Sequence, residues 1–342
     1  MEKKRIAFIV NPISGTHQKE TLLNLIDRKI DHTRFDYTIQ YTEYAGHAPL
    51  LVKQCIADRC EAVVAVGGDG TVNEIARSLV HTPVALGIIP CGSGNGLARH
   101  LQIPMDPQGA IDIINSYTRK YLDYGTINDF PFFCTCGVGF DAFVSSKFAH
   151  SSKRGALSYL DYTLREGVKY TPDTYEIEIE GETTSHKAFL IACANASQYG
   201  NNAYIAPHAS MQDGLMDVTI MEPFPVIEAP QIVFQLFNKT LNHNSHIRMF
   251  RCSHITIHRE KEGVIHYDGD PVMAGTEIDV RLIKAGLRVI VNNKKKKKTT
   301  NGIGQMFMEL CSEVVRMSTD AHKRNLKMID EFNQQVKKKL GL

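Results

Sequence analysis

Three apolar runs near the N-terminal end set the strongest limit on what this chain can fold into. "RIAFIV" (5–10), "AVVAV" (62–66) and "VALGII" (84–89) are continuously apolar and rich in β-branched residues. A run without a polar face fits a parallel strand covered on both sides by helices. Each run stops on a glycine-bearing loop: "NPISG" (11–15), "GGDGT" (67–71) and "PCGSGNGLAR" (90–99). Helical spacing separates the runs, through Leu22, Leu23, Leu25 and Ile26 and again through Val72, Ile75, Ala76 and Leu79. The alternation predicts a doubly wound α/β domain.

The texture changes from about residue 127 to 292. "FFCTCGV", "TYEIEIEG", "KAFLIACANA", "LMDVTIM", "HITIHRE", "GVIHYDG", "EIDVRLI" and "LRVIVNN" read as strands, many with period-two alternation and turn residues between them. We therefore expect an α/β domain over 1–126 and an antiparallel, β-sandwich-like domain over 127–292, with a helical excursion near 142–170. Residues 293–342 read as a Lys-rich linker and a helical tail packing on the first domain, with Ile303, Met306, Phe307, Leu310 and Val314 at helical spacing. A length of 342 residues is comfortable for two cores.

Composition narrows the function classes. The formal net charge of +2 argues against a nucleic-acid partner. No apolar stretch is long enough to span a bilayer, and "MEKKRIAFIV" lacks the features of a signal peptide, so a cytoplasmic location is expected. The eight cysteines show no CxxC pairing, and several lie in apolar runs, where they behave as small hydrophobes. The oligomeric state is open, a homodimer being one option.

In an open α/β sheet, ligands bind outside the carboxyl ends of the strands, so three glycine loops there can meet in one crevice. Their free N–H groups can cradle phosphate oxygens, and helices starting at Val72 and Asn95 would add favourable dipoles. Thr71 and Ser93 offer hydroxyls at those starts, as ligand contacts or as helix caps. The chain contains no P-loop motif and no GxGxxG after the first strand, which disfavours P-loop NTPases and dinucleotide-dependent dehydrogenases. "GVGFDA" (137–142) reads as a tight turn carrying Asp141. Asp69, the Asp213 and Asp217 of "MQDGLMDV", and the Asp268 and Asp270 of "HYDGDPV" supply carboxylates. A lone DG is usually a hairpin turn, but several acidic chain ends beside phosphate loops suit Mg²⁺ and a general base.

Taken in order, "NPISG", "YTEYAGHA", "VGGDGTVNE", "GIIPCGSGNGLAR", "GVGFDA", "KRGALSY", "YIAPHASMQDGLMDV" and "YDGDP" resemble the diacylglycerol kinase catalytic domain family of lipid kinases, which includes sphingosine and ceramide kinases. GGDGT alone is shared with NAD kinases and phosphofructokinases, so the ordered set carries the resemblance. The resemblance implies ATP on the first domain, lipid in a pocket of the second, and an active site in the cleft between them. It places nucleotide contacts on Asn11, Pro12, Ile13, Ser14 and Gly15, on Thr42, on Gly68, Asp69, Gly70, Thr71, Val72, Asn73 and Glu74, and on Ser93. Asp69 would lie near the transferred phosphate and its Mg²⁺. A second, structural Mg²⁺ would map to the Asp213 carboxylate with the Ser210 and Leu215 carbonyls.

The base that accepts the lipid hydroxyl proton would map to Asp268 or Asp270. Many relatives carry Glu where this chain has Asp270, one methylene shorter, and Gly96 resembles the sphingosine-kinase version of its loop. The expected activity is transfer of the γ-phosphoryl group of ATP to a membrane-lipid hydroxyl by a peripheral protein. Lys147, Lys153 and Arg154 could meet anionic headgroups, each worth about 1 kcal/mol, or form an ordinary solvated helix face. Lys294–Lys298 could add to that attraction. The alternatives are a kinase of a soluble substrate, as in the NAD kinases, and a non-catalytic lipid- or nucleotide-binding protein of the same fold.

Overall fold

The computed structural model describes residues 2–15, 19–149, 166–167 and 169–293. Its first half alternates β1 (Lys4–Val10), α1 (Lys19–Lys29), β2 (Phe35–Tyr41), α2 (Ala48–Ala57), β3 (Ala62–Gly67), α3 (Asp69–Leu79), β4 (Ala85–Pro90), α4 (Gly96–His100) and α5 (Pro107–Ser116). The strands lie parallel in the order β2-β1-β3-β4. Every residue of β3 and β4 is buried, as continuous apolar runs between two helical layers require. β2 is the edge strand, and only Phe35 of it is buried. That partial cover explains why a search for fully apolar runs passes over it.

The second half contains β5 (Arg119–Ile127), β6 (Phe130–Phe132), β7 (Thr135–Gly139), α6 (Phe140–Ala149), β8 (Asp173–Ile179), β9 (Glu182–Ala188), β10 (Leu190–Ala194) and β11 (Met216–Met221). Then come α7 (Ala229–Asn238), β12 (Ile247–Cys252), β13 (His254–Arg259), β14 (Gly263–Tyr267), β15 (Asp270–Ala274) and β16 (Glu277–Ile290). A six-stranded sheet of order β12-β11-β10-β7-β14-β15 forms one face of a sandwich. The opposing face comes from β5, β6, β16, β13, β8 and β9. Ile177, Ile257 and Val280 of that face share a buried core with Val138, Ile191 and Val218 of the six-stranded sheet. Cys136, Cys193 and Cys252 sit in the same core, as small hydrophobes would.

The two halves share a sheet. β16 runs antiparallel to β13 and β5, and its Val289 then pairs in parallel with Leu86 of β4. "EIDVRLI" and "LRVIVNN" are therefore one strand, although the intervening Lys284-Ala285-Gly286 reads as a turn. It is a bulge between Ile283 and Leu287, with Ala285 at φ +51°. A Cβ on Gly286 would stand 2.4 Å from the Tyr124 ring. The helical excursion starts at Phe140, earlier than expected, and Lys153 and Arg154 lie outside the described residues, as do Lys294–Lys298 and the tail.

Asp123 joins the bulge to the DG turn of the second half. Its Oδ1 accepts the Ala285 N–H at 2.8 Å and its Oδ2 the Gly214 N–H at 2.9 Å. Asp123→Ala leaves both donors without a partner, each costing about 1–3 kcal/mol when buried. We expect a loss of roughly 2–4 kcal/mol, read as a lower urea midpoint at unchanged slope. An unchanged midpoint would show that water replaces the carboxylate at no cost.

Candidate active site

The site begins with how β3 becomes α3. The helix starts at Asp69, three residues before the expected Val72, because the extended Gly68 lets the chain turn at once. The turn is too tight for a side chain at Gly67, where a Cβ would lie 2.5 Å from Thr71 Oγ1. Asp69 thus stands in the first helical turn, where a negative charge is favourable. Its two oxygens accept the N–H groups of Asn95 and Gly96, both at 2.7 Å. Burial nevertheless pushes its carboxyl above the usual range. Asn95, at φ +50°, closes its own loop by accepting the Gly92 N–H and donating to the Gly92 carbonyl. Gly92 itself has no room for a Cβ, which would approach Gly68 Cα to 2.7 Å.

The remaining loops tie into the same place. Asn11 Nδ2 donates to Thr71 Oγ1 at 3.2 Å, and the Thr42 N–H donates to the Val10 carbonyl. The Gly46 N–H donates to Glu74 Oε1 at 3.1 Å. Four loops, one after each parallel strand, therefore converge. The fourth, after β2, carries no glycine-rich signal, and only the family resemblance pointed to Thr42. Neither Thr71 nor Ser93 caps a helix: Thr71 lies inside the first turn of α3, and α4 starts after Asn95. Pro12 and Ile13 are exposed at the rim, while Thr71, Val72 and Asn73 are buried.

A cavity of about 560 Å³ opens beside these loops. Asp69, Asn73 and Ser93 of the first half line it together with Asp268 and Asp270 of the second, so the cavity bridges the two halves. Apolar side chains, among them Phe140, Val144, Phe189, Met221, Ile232 and Leu236, make up much of its walls. Asp141 and His266, both buried, and the partly buried Tyr199 stand in the lining as a polar cluster. Asp141 Oδ2 lies 3.0 Å from His266 Nε2 and accepts the Tyr199 hydroxyl at 3.0 Å. The sequence showed Asp141 only as a turn residue; its partners come from β14 and from the loop after β10.

The two aspartates of the DGD turn have different surroundings. Asp268, at φ +53°, accepts three backbone N–H groups, from Phe133 at 2.8 Å, Cys134 at 2.7 Å and Thr135 at 3.1 Å. Burial outweighs these donors and holds its carboxyl up at about 6. Asp270 instead pairs with Arg77 of α3, Nη2 to Oδ2 at 2.9 Å. The Arg77 guanidinium lies 4.6 Å above the Tyr267 ring, which stacks on Phe130, and its Nε donates to the Pro131 carbonyl. Arg77 therefore joins the helix that starts at Asp69 to the turn that holds Asp268 and Asp270. Sequence reading missed it, because an arginine in the last turn of a helix also suits the dipole.

Ser210, Asp213 and Leu215 do not line the cavity. Asp213 accepts the Leu215 N–H at 3.2 Å and pairs with Arg251 at 3.4 Å, and Arg251 also pairs with Asp217 at 3.3 Å. Among the described residues no group of three or more His, Cys, Asp or Glu gathers into a metal-binding cluster.

Two measurements follow from this geometry. A carboxyl raised by folding is protonated in the folded state before the unfolded chain takes up that proton. The Asp268 contribution therefore lowers stability as pH rises from about 4 to about 6 and is constant above that. We expect this part of the stability–pH curve to flatten in Asp268→Asn, measured by urea midpoints. For Arg77→Ala, we expect weaker closure of the cleft, seen as faster amide exchange at Asp270 and Pro271-adjacent residues, with the β3–β4 core unchanged. Equal exchange in both regions would show that the pair holds nothing.

Comparison with known proteins agrees with the geometry. The family model "Diacylglycerol kinase catalytic domain" matches residues 5–127, and "YegS C-terminal NAD kinase beta sandwich-like domain" matches 134–291. An uncharacterized protein of Synechocystis sp. is 28% identical over 81% of this chain, which spans 64% of that relative's length. The diacylglycerol kinase of Bacillus subtilis is 25% identical over 78% of this chain and 90% of its own. The "Probable lipid kinase YegS-like" of Chromohalobacter salexigens is 30% identical over 58% of this chain and 67% of its own. A crystal structure of a diacylglycerol kinase from Bacillus anthracis superposes with a TM-score of 0.66 at 20% identity, over 86% of this chain and 98% of that one, and speaks to the fold alone. With both family models matched in order and the site loops inside them, the chain belongs to the diacylglycerol kinase catalytic domain family.

Proposed function

We propose that this protein transfers the γ-phosphoryl group of ATP to a hydroxyl of a membrane lipid. The observation that carries this reading is a cavity lined both by glycine-loop and DGD-turn residues and by many apolar side chains. Phosphoryl transfer asks mainly for positioning and charge stabilisation, which convergent loop N–H groups and the α3 terminus can supply. A soluble, polar acceptor would gain nothing from walls of Phe140, Phe189, Met221 and Ile232.

In this reading the nucleotide phosphates lie against Asn11–Gly15, Gly68–Glu74 and Ser93, with Thr42 on the β2 side. Asp69 clamps two loops with one N–H on each oxygen and lines the cavity, and its carboxylate oxygens, which keep further lone pairs, are a donor type that would fit Mg²⁺. When bound, the ion would neutralise charge on the phosphates. For a second ion we keep Asp213 with the Ser210 and Leu215 carbonyls; Arg251 is the cation that such an ion would have to replace.

We assign the general base to Asp270 and the anchoring of its turn to Asp268. Both Asp268 oxygens are engaged by backbone donors, whereas Asp270 has a half-exposed side chain on the cavity lining and is oriented by Arg77. The acceptor hydroxyl would give its proton to Asp270 as its oxygen bonds to the γ-phosphorus, while the bond from that phosphorus to the β,γ-bridging oxygen breaks and ADP leaves.

The test is transfer from labelled ATP, with Mg²⁺, to micelles containing diacylglycerol, monoacylglycerol, a sphingoid base or ceramide in turn. We expect one lipid to be labelled and Asp270→Asn to cut turnover by roughly 10²–10⁴-fold while leaving thermal stability unchanged. Asp268→Asn should lower both turnover and stability. Loss confined to Asp268→Asn would transfer the base role to Asp268. ATP binding without any labelled lipid would favour a soluble acceptor or a binding protein without turnover.

A further inference from the structure

Three of the large exposed apolar side chains fall on one short stretch. They are Val226 at 53% exposure, Ile227 at 87% and Phe234 at 36%. Val226 and Ile227 belong to a 3-10 turn, Val226–Glu228, that leads into α7. The other side of the same stretch is cavity wall: Phe224, Val226, Ala229, Ile232, Val233 and Leu236 line it. Only Ile232 of α7 is fully buried, so this helix has apolar groups both toward the cavity and toward the outside. A wall apolar on its outer side lets an acyl chain pass from a hydrocarbon phase into the cavity without crossing water.

The charges around the stretch are arranged for the same partner. Its two carboxylates have partners: Glu222 pairs with Arg248, and Glu228 lies 3.1 Å from His246 Nε2. Lys239, directly after α7, lies 4.2 Å over the Tyr204 ring with its side chain exposed. Lys147 is exposed on α6, whose Val144 and Phe148 line the same cavity. Exposed lysines on elements that line the same cavity as the apolar turn complement an anionic lipid surface.

We propose that the Val226–Ile227 turn, with the exposed edge of α7, is the face that inserts into an anionic membrane surface and delivers the acceptor to the cavity. The proposal rests on the lipid-acceptor reading for its purpose, but it is tested by binding alone. Full-length protein is sedimented with phosphatidylcholine vesicles with and without phosphatidylglycerol. Wild type binds the anionic vesicles. Ile227→Glu binds them roughly tenfold or more weakly, since the apolar side chain that inserts into the bilayer is replaced by a charge, and Ile227→Leu restores binding. Lys147→Glu with Lys239→Glu weakens binding to anionic vesicles and leaves the neutral ones unaffected.

Ile227 does not line the cavity, so transfer to a short-chain, water-soluble acceptor stays within about twofold of wild type in Ile227→Glu. Equal vesicle binding by wild type and Ile227→Glu overturns the proposal. So does a change in oligomer size without a change in vesicle binding, which would assign the patch to a second copy of the chain. If no lipid is ever labelled while vesicle binding keeps its dependence on Ile227, the kinase reading fails and the docking face stands.

Discussion

The site depends on one carboxylate. Asp69 sits where β3 becomes α3 and accepts the Asn95 and Gly96 N–H groups from the loop after β4. Those two bonds add to the Cys91 N–H to Gly67 carbonyl bond and the close approach of Gly68 to Gly92, and they extend the link from the strand ends to the start of α4. A carboxylate suits the task because it accepts two N–H donors at once and is favoured at a helix N-terminus. The cost is a buried negative charge, visible in the raised carboxyl.

The continuous sheet does for the two halves what Asp69 does for the loops. β16 carries hydrogen bonding from β13 and β5 to β4, so the β-sandwich cannot swing freely against the α/β layer. Arg77 closes the other side by holding Asp270 beside α3. As a half-exposed pair it adds little stability, and its value is geometric. The cavity takes lining residues from both halves, polar ones from the loops and the DGD turn and apolar ones from α6 and α7. One wall of it, the stretch ending in α7, is also apolar on its outer side.

Much of this was legible because local physics fixed it. Fully apolar β-branched runs admit few structures other than buried parallel strands, and β1, β3 and β4 formed as read. Glycines after those runs marked the turns at which the chain must pass close to itself, as Gly67 and Gly92 do. β2 was overlooked because an edge strand is only half covered, and α7 because a helix that forms a cavity wall lacks a clear polar face. The β16 bulge was read as a break because Ala285 and Gly286 have turn chemistry, while the Asp123 bond that holds the bulge open comes from far along the chain.

The sequence by itself determined the class of both halves, the three glycine loops after β1, β3 and β4, and most of the acidic groups around them. These follow from periodicity and from glycine, which act over a few residues. Tertiary structure alone decided what each acidic group does. Asp69 became a clamp, Asp268 an anchor for its turn, Asp270 the partner of Arg77, and Asp213 the partner of Arg251. The role of a carboxylate is set by the donors and cations around it, and here most of those come from residues distant in the sequence.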